Sequence, residues 1–532
     1  MLSIGKSKAV TTGEDDKFYF SFDIKKWGVY FSVISICWAP YLIICYPAVT
    51  RGFDFFWQLL QGTGIFPMSN HHPIFSSYVF GALFSIGNKI GGAEAGLFFI
   101  MIVQFIVMTG AISFCLTCLS FFNVNKIVIR GICAIISICP VFPSHAIWLI
   151  KDSFFTAISI ILFFQVFLHV WFVSNRSKPP KIASLPAIVF MCLLFSLYRN
   201  GMSIIALVML VVISWVCLQN NRNGKKYACS VLAFLIMIVS WNGLISYMDV
   251  YPTNVRESLS MPMRQIMRSI QMEPDDLSKK EEGVLKGIYK DDPQVDDIMA
   301  IVNRYQDFSA DPIKTSYIYD NDLLISLVKL WFKRGLRHPG SYLDAAIRGT
   351  YGYWWLQIRP EMKAISTETT GAEDDFANEE MTDLPLERIF VPTVKSLEKN
   401  GVDTKKTFRL LQIEYPLLKE IMTVKTAFPK ARNKLNKYID ALKSMPIISL
   451  FFAPGFYFWV LVFSLGYLFS RKREGRFLWP IVLMVAFACI SPVNGYTRYV
   501  LPIELLSLIM AGICFIPERL TFSNRTESDG KE

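Results

Sequence analysis

Ten runs of predominantly apolar residues dominate this chain, at 28–47, 95–119, 127–142, 152–174, 182–198, 201–218, 227–246, 447–469, 477–491 and 499–516. A helix that crosses a bilayer needs about 20 such residues. Of the 532 residues, 53% are hydrophobic and 18% charged, so polar surface is too scarce for a soluble fold of this size. The expected fold class is therefore an all-α polytopic membrane protein with about ten transmembrane helices.

Orientation follows from the basic residues, which mark the cytoplasmic side. Clusters occur at Lys6, Lys8, Lys17, Lys25 and Lys26, near 126–130, in NRSKPPK, in NRNGKK, in RKREGR and at Arg519, Arg525 and Lys531. All of these share one side only if the apolar stretch 73–88 does not cross. It is expected instead as a juxtamembrane helix lying on the outer face. The resulting plan has a cytoplasmic tail at 1–27, with no removable signal peptide expected. A seven-span module follows at 28–246, with a first outer loop at 48–94. An extracytoplasmic domain at 247–445 precedes three C-terminal spans at 446–517 and a second cytoplasmic tail at 518–532. Within the domain, DDLSKKEEGVLKGIY, NDLLISLVKLWFKRGL and TFRLLQIEYPLLKEIMTVK have helical periodicity, whereas TETTGAEDDFANEEMTD reads as a loop.

The net charge of +11 does not indicate a nucleic-acid partner. Between Gly243 and Met445 lie 30 of the 43 acids and 29 of the 54 Lys and Arg, so the surplus sits in the membrane part. The 11 cysteines fall in or beside apolar runs and read as small packing residues.

Five features converge on the outer face: Asp54 in FDFFWQ, His71 and His72 in HHP, Lys151 and Asp152 in LIKDSFF, Arg199 and Asn200 in LYRNGMS, and Arg498 in GYTRYVLP. Ionisable groups beside a membrane are costly and tend to be functional. A carboxylate ringed by cations suits group transfer from a lipid phosphate. Asp54 can take a proton from an attacking hydroxyl, while Lys151, Arg199 and Arg498 bind the phosphate. His71, His72, Asp152 and Asn200 are assigned to the acceptor or to support of these groups. Arg264 and Arg268 in SMPMRQIMRSI are lesser candidates, one turn apart on a face expected to be solvated. Tyr351, Tyr353, Trp354 and Trp355 read as interface anchors. Glu504 lies inside the last run and receives no role.

At these positions the chain resembles the GT-C superfamily of membrane glycosyltransferases that use polyprenyl-phosphate sugars. D-x(16)-HHP, then KD, then RNG also resembles the serotype-converting transferases that glucosylate O-antigen. The resemblance covers most of 28–246 and GYTRYVLP. It implies a catalytic Asp in the first outer loop, here Asp54, a juxtamembrane helix, here 73–88, and a second acidic position before the fourth span, here Asp152. It also implies a polyprenyl-phosphate donor, a glycan or lipid-linked acceptor, inversion at the sugar, a bacterial inner-membrane location, and a donor synthase and flippase as associates. The second acidic site is KD rather than a paired acidic motif, which argues against a bound divalent metal, and no WWD-type signature supports an oligosaccharyltransferase. An O-antigen polymerase or ligase acting on lipid diphosphates stays open, with Arg residues of the large outer segment doing the work. A transporter is disfavoured because nearly every ionisable group sits at a span end rather than near the midplane.

Overall fold

The computed structural model describes residues 19–49, 53–65, 67–219, 224–248, 250, 253–356, 417, 420–421, 424–470, 479–490 and 493–517. TETTGAEDDFANEEMTD, most of TFRLLQIEYPLLKEIMTVK, Arg51, RKREGR, most of the tail 1–27 and all of the tail 518–532 lie outside the described residues. What is described is helical throughout, without a named strand. Six of the described helices are long and apolar enough to cross a membrane: α1 (Ile24–Ile44), α3 (Ile74–Phe121), α6 (Lys151–Ser174), α8 (Met202–Gln219), α9 (Gly224–Tyr247) and α18 (Thr497–Cys514). The protein is thus polytopic.

The remaining apolar runs form shorter or broken helices. The run 127–142, expected as one span, is α4 (Lys126–Ile138) followed by α5 (Val141–Ile147), bent by 58°. Pro140 explains the break. It has no N–H to donate, and it forces the preceding Cys139 out of helical geometry, to ψ 119. The run 182–198 gives α7 (Leu185–Tyr198), and the run 447–469 does not become α-helical until α16 (Pro454–Ser470). The run 477–491 gives α17 (Trp479–Cys489).

α3 covers both the stretch 73–88 and the following run, but it is two helices joined at Gly91 and Gly92. Gly92 has φ 75, a left-handed backbone that glycine adopts without strain. The second half of α3 restarts at Ala93, whose N–H donates to the Glu420 carboxylate at 2.9 Å. The short α2 (Phe53–Gly62) packs on the first half of α3, and the backbones touch where Gly62 meets Gly81. A Cβ at Gly81 would collide with the Gly62 backbone, so only glycine permits this approach.

The 247–445 segment contributes α10 (Ser260–Met272), α11 (Lys279–Ile288), α12 (Ile298–Val302), α13 (Asn321–Arg337), α14 (Pro339–Trp354) and α15 (Pro429–Ser444). Helices α10 to α13 share a core around Ile266, Ile270, Leu285 and Leu327, whereas Ile439 of α15 belongs to the core of the apolar helices. Ser278 and Glu281 form a capping box at the start of α11. α14 ends against the start of α16, where the Trp459 indole donates to the Trp354 carbonyl at 2.8 Å.

Candidate functional site

Asp54 lies in the first turn of α2, where a carboxylate is favoured by the helix dipole. The chain leading to it is held from both sides. The buried Arg432 of α15 donates to the carbonyls of Cys45 and Ala48 at 3.0 and 2.7 Å. The Leu149 N–H donates to the Val49 carbonyl at 2.9 Å, which ties the approach to α2 to the approach to α6. Two segments about 100 residues apart in sequence thus begin their helices side by side, one with Asp54 and the other with Lys151 and Asp152.

Arg498 Nη1 lies 3.0 Å from Asp54 Oδ2, and Arg498 Nη2 donates to the Tyr499 hydroxyl at 2.9 Å. The guanidinium sits 4.8 Å from the ring centres of both Tyr496 and Tyr499, so it is stacked as well as paired. Its Nε is buried and has no hydrogen-bond partner among the described residues. His72 Nε2 lies 3.8 Å from Asp54 Oδ1, beyond hydrogen-bond range, and the rings of His71 and His72 are 4.6 Å apart. Lys151 and His71 complete the surroundings of Asp54. Burial works to raise the Asp54 pKa, but Arg498, then His72, Lys151 and His71 outweigh it and hold the carboxyl well below the usual carboxylate range. His72 is pushed well below its ordinary value by burial first and then by Lys151. Lys151 is half-buried and forms no ion pair within the described residues.

The second carboxylate is engaged differently. Arg199 Nη1 donates to Asp152 Oδ1 at 2.8 Å, and the side chains of Arg199 and Asp152 are 13% and 3% exposed. The Asp54 side chain is 32% exposed, so of the two it is the one a ligand can reach. Arg199 also lies 5.3 Å from the ring centre of Tyr499 and 5.5 Å from that of Phe155. Tyr499 therefore lies between the two arginines. Asn200 Nδ2 donates weakly to the Asn70 carbonyl at 3.4 Å, which joins the RNG turn to the HHP segment. Among the described residues no three His, Cys, Asp or Glu side chains converge as a metal site.

Asp54, His71, His72, Lys151, Asp152, Arg199, Asn200 and Arg498 are thus brought together. Arg264 and Arg268 are not. Arg264 is fully buried in the 247–445 domain, donating to the Gly349 carbonyl at 2.9 Å, and Arg268 pairs with Asp344 at 2.6 Å. The solvated face expected for them is instead the face of α10 that packs on α14. The reason is the small Gly349, which admits a guanidinium where a larger residue would collide with it.

Three further residues support the site: Tyr496, Tyr499 and Asn494. Tyr496 and Tyr499 flank Arg498 within GYTRYVLP, and that adjacency is the signal that they are its ring partners. Asn494 is fully buried and accepts from the Gly352 N–H at 2.8 Å while donating to the Arg348 carbonyl at 2.9 Å. Nothing local marks that residue as a clamp.

A model of a family of unknown function (DUF6020) matches residues 63–526, and the chain belongs to that family. No curated protein and no solved structure matches it.

Proposed function

We propose that this member of the DUF6020 family is a membrane glycosyltransferase of GT-C type. In this reading it moves a sugar from a polyprenyl phosphate to an outer-face glycan or lipid-linked acceptor such as O-antigen. The observation that carries the reading is the pairing of the accessible Asp54 with Arg498, beside Lys151 and His72, on helices from three distant parts of the chain. The protein then makes ten spans with both termini inside a bacterial cytoplasmic membrane, and the site opens on the extracytoplasmic face.

The donor phosphate takes the Arg498 guanidinium and the Lys151 ammonium, which has no ion pair among the described residues, as two charge-assisted donors. An acceptor hydroxyl oxygen then bonds to the sugar's anomeric carbon from the side opposite the phosphate. The carbon–oxygen bond to phosphate breaks, its electron pair stays on the polyprenyl phosphate, and the hydroxyl proton passes to Asp54. Arg498 faces both Asp54 and the phosphate, so charge leaving the carboxylate on protonation is matched by charge gathered on the leaving group. The Asp152–Arg199 pair takes no part in proton transfer: it holds Tyr499 and the floor of the site.

The test is incubation of the purified protein with a panel of radiolabelled polyprenyl-phosphate sugars and a lipid-linked glycan acceptor. The reading requires sugar transfer and release of polyprenyl phosphate with at least one donor. Failure with all of them, while lipid-diphosphate oligosaccharides are joined, would favour a polymerase.

A further inference from the structure

α16 and α17 both pack on α18, yet they scarcely touch each other within the described residues. This leaves a lateral cleft with α18 as its floor and the end of α14 as its roof. Glu504 projects from that floor. It is 1% exposed, and neither carboxylate oxygen has a hydrogen-bond partner among the described residues. The cavity it lines has a volume of about 10 Å³, room for one water-sized group. Its walls include Tyr353, Tyr457, Phe458, Val485 and Cys489.

The hydroxyl donors in those walls are already committed. The Tyr353 hydroxyl donates to the Val493 carbonyl at 2.7 Å, and the Tyr457 hydroxyl donates to the Phe451 carbonyl at 2.8 Å. The walls therefore present Glu504 with acceptor sites and aromatic faces but no strong donor. A guest that fits must be small at its tip, rich in N–H or O–H and tolerant of aromatic rings. A primary ammonium meets all three conditions, since it has three donors, no acceptor and a charge that aromatic faces attract. The cavity also touches Pro454, the first residue of α16, and Val500 in the first turn of α18, so it lies toward the end of the bundle that α14 meets.

We propose that this cleft is a binding site for a lipid with a primary-ammonium headgroup, with Glu504 as the acceptor and the acyl chains lying outside along α16 and α17. The site is distinct from the Asp54 cluster and does not rest on the glycosyltransferase reading.

The test uses full-length protein in detergent and native mass spectrometry with phosphatidylethanolamine, phosphatidylcholine and phosphatidylglycerol of identical acyl chains. Phosphatidylethanolamine should bind at least about tenfold more tightly than the other two, because a charged hydrogen bond contributes roughly that much or more. Glu504→Gln, which preserves shape, should erase the preference. Val485→Trp, which fills the cleft from α17 and leaves Glu504 in place, should lower retention of phosphatidylethanolamine without unfolding the protein. Equal retention of the three lipids by wild type, or an unchanged preference in folded Glu504→Gln, overturns the proposal. So does labelling of Glu504 by a hydrophobic carbodiimide at a rate that phosphatidylethanolamine does not slow, because that result describes a protonated carboxyl with no lipid partner.

Discussion

Replacing Asp54 by Asn removes a charge and a base while keeping size and shape, and the structure makes its two effects on catalysis opposite in sign. Loss of a general base costs roughly 10²–10⁴-fold in turnover. Donor binding should move the other way. Asp54 lies 3.0 Å from Arg498, so in the wild type an incoming phosphate shares that guanidinium with a carboxylate and is repelled by it. Two like charges about 5 Å apart at an effective dielectric of about 20 repel by roughly 3 kcal/mol. Asp54 is 32% exposed, and water reduces this to about 1–2 kcal/mol. Donor affinity should therefore rise about 5- to 30-fold in Asp54→Asn as kcat falls. Arg498 loses its anion but keeps the Tyr499 hydroxyl and two aromatic faces, so the cost in stability should stay within about 1–3 kcal/mol. The assay pairs single-turnover sugar transfer with equilibrium binding of the polyprenyl-phosphate donor, on protein whose thermal unfolding has been measured. Near-wild-type turnover in folded Asp54→Asn would refute the base assignment. Weaker donor binding together with lost turnover would make Asp54 a structural partner of Arg498 and nothing more.

Lys151→Ala should weaken donor binding by about 1.5–3 kcal/mol with little change in stability, because Lys151 has no ion pair to lose among the described residues; donor titration and thermal unfolding decide it. Arg199→Ala should instead destabilise by about 3–5 kcal/mol, since it strands Asp152 at 3% exposure, and Asp152→Asn in the same chain should restore folding. In the wild type, the pH profile of kcat/KM should show no acid limb from Asp54 above about pH 5. The carboxylate is the active form, and its depressed pKa means protonation comes only below the usual ~3.9. Arg498→Gln removes the largest opposing charge, lets burial raise the Asp54 pKa, and should bring an acid limb up into the measured range. In a background lacking the exposed Cys37 and Cys229, a cysteine at Gly340 should react with an impermeant maleimide from outside intact cells, and one at Lys226 only after permeabilisation.

The sequence is most informative where chemistry is local. Hydropathy alone finds the long membrane helices, because a run of apolar residues near 20 has few other fates. The periodicity of NDLLISLVKLWFKRGL and the capping box at Ser278 likewise yield α13 and α11. The meeting of Asp54, Lys151 and Arg498 is foreseeable for a different reason: basic residues are scarce at the span ends where they lie, so the few found there stand out. Helix breaks are less legible. Cys139-Pro140 is a break signal inside an apolar run, and hydropathy averages over it. The burial of Arg264 is hidden because helical spacing gives the face of a residue but not what covers that face. Which Arg pairs with which Asp is not legible at all, since 199 with 152 and 498 with 54 depend on how helices distant in sequence cross.

The 247–445 domain has a part in this that its own sequence does not advertise. Arg498 begins α18, and the residues just before it are fixed from the domain side. The Asn494 N–H donates to the Phe308 carbonyl at 2.8 Å, its side chain bridges Gly352 and Arg348, and Tyr353 holds Val493. On the other half of the pair, Arg432 of α15 grips the carbonyls of Cys45 and Ala48 just before Asp54. Glu420 caps the restart of α3 beyond the HHP segment. An ion pair between two helix ends is only as well placed as the chains that lead into those helices. Here the segment before Arg498 is fastened to α14 and the segment before Asp54 to α15, so residues of 247–445 hold both leading segments. Residues outside the cluster can thus set how closely the Arg498 guanidinium and the Asp54 carboxylate are held together.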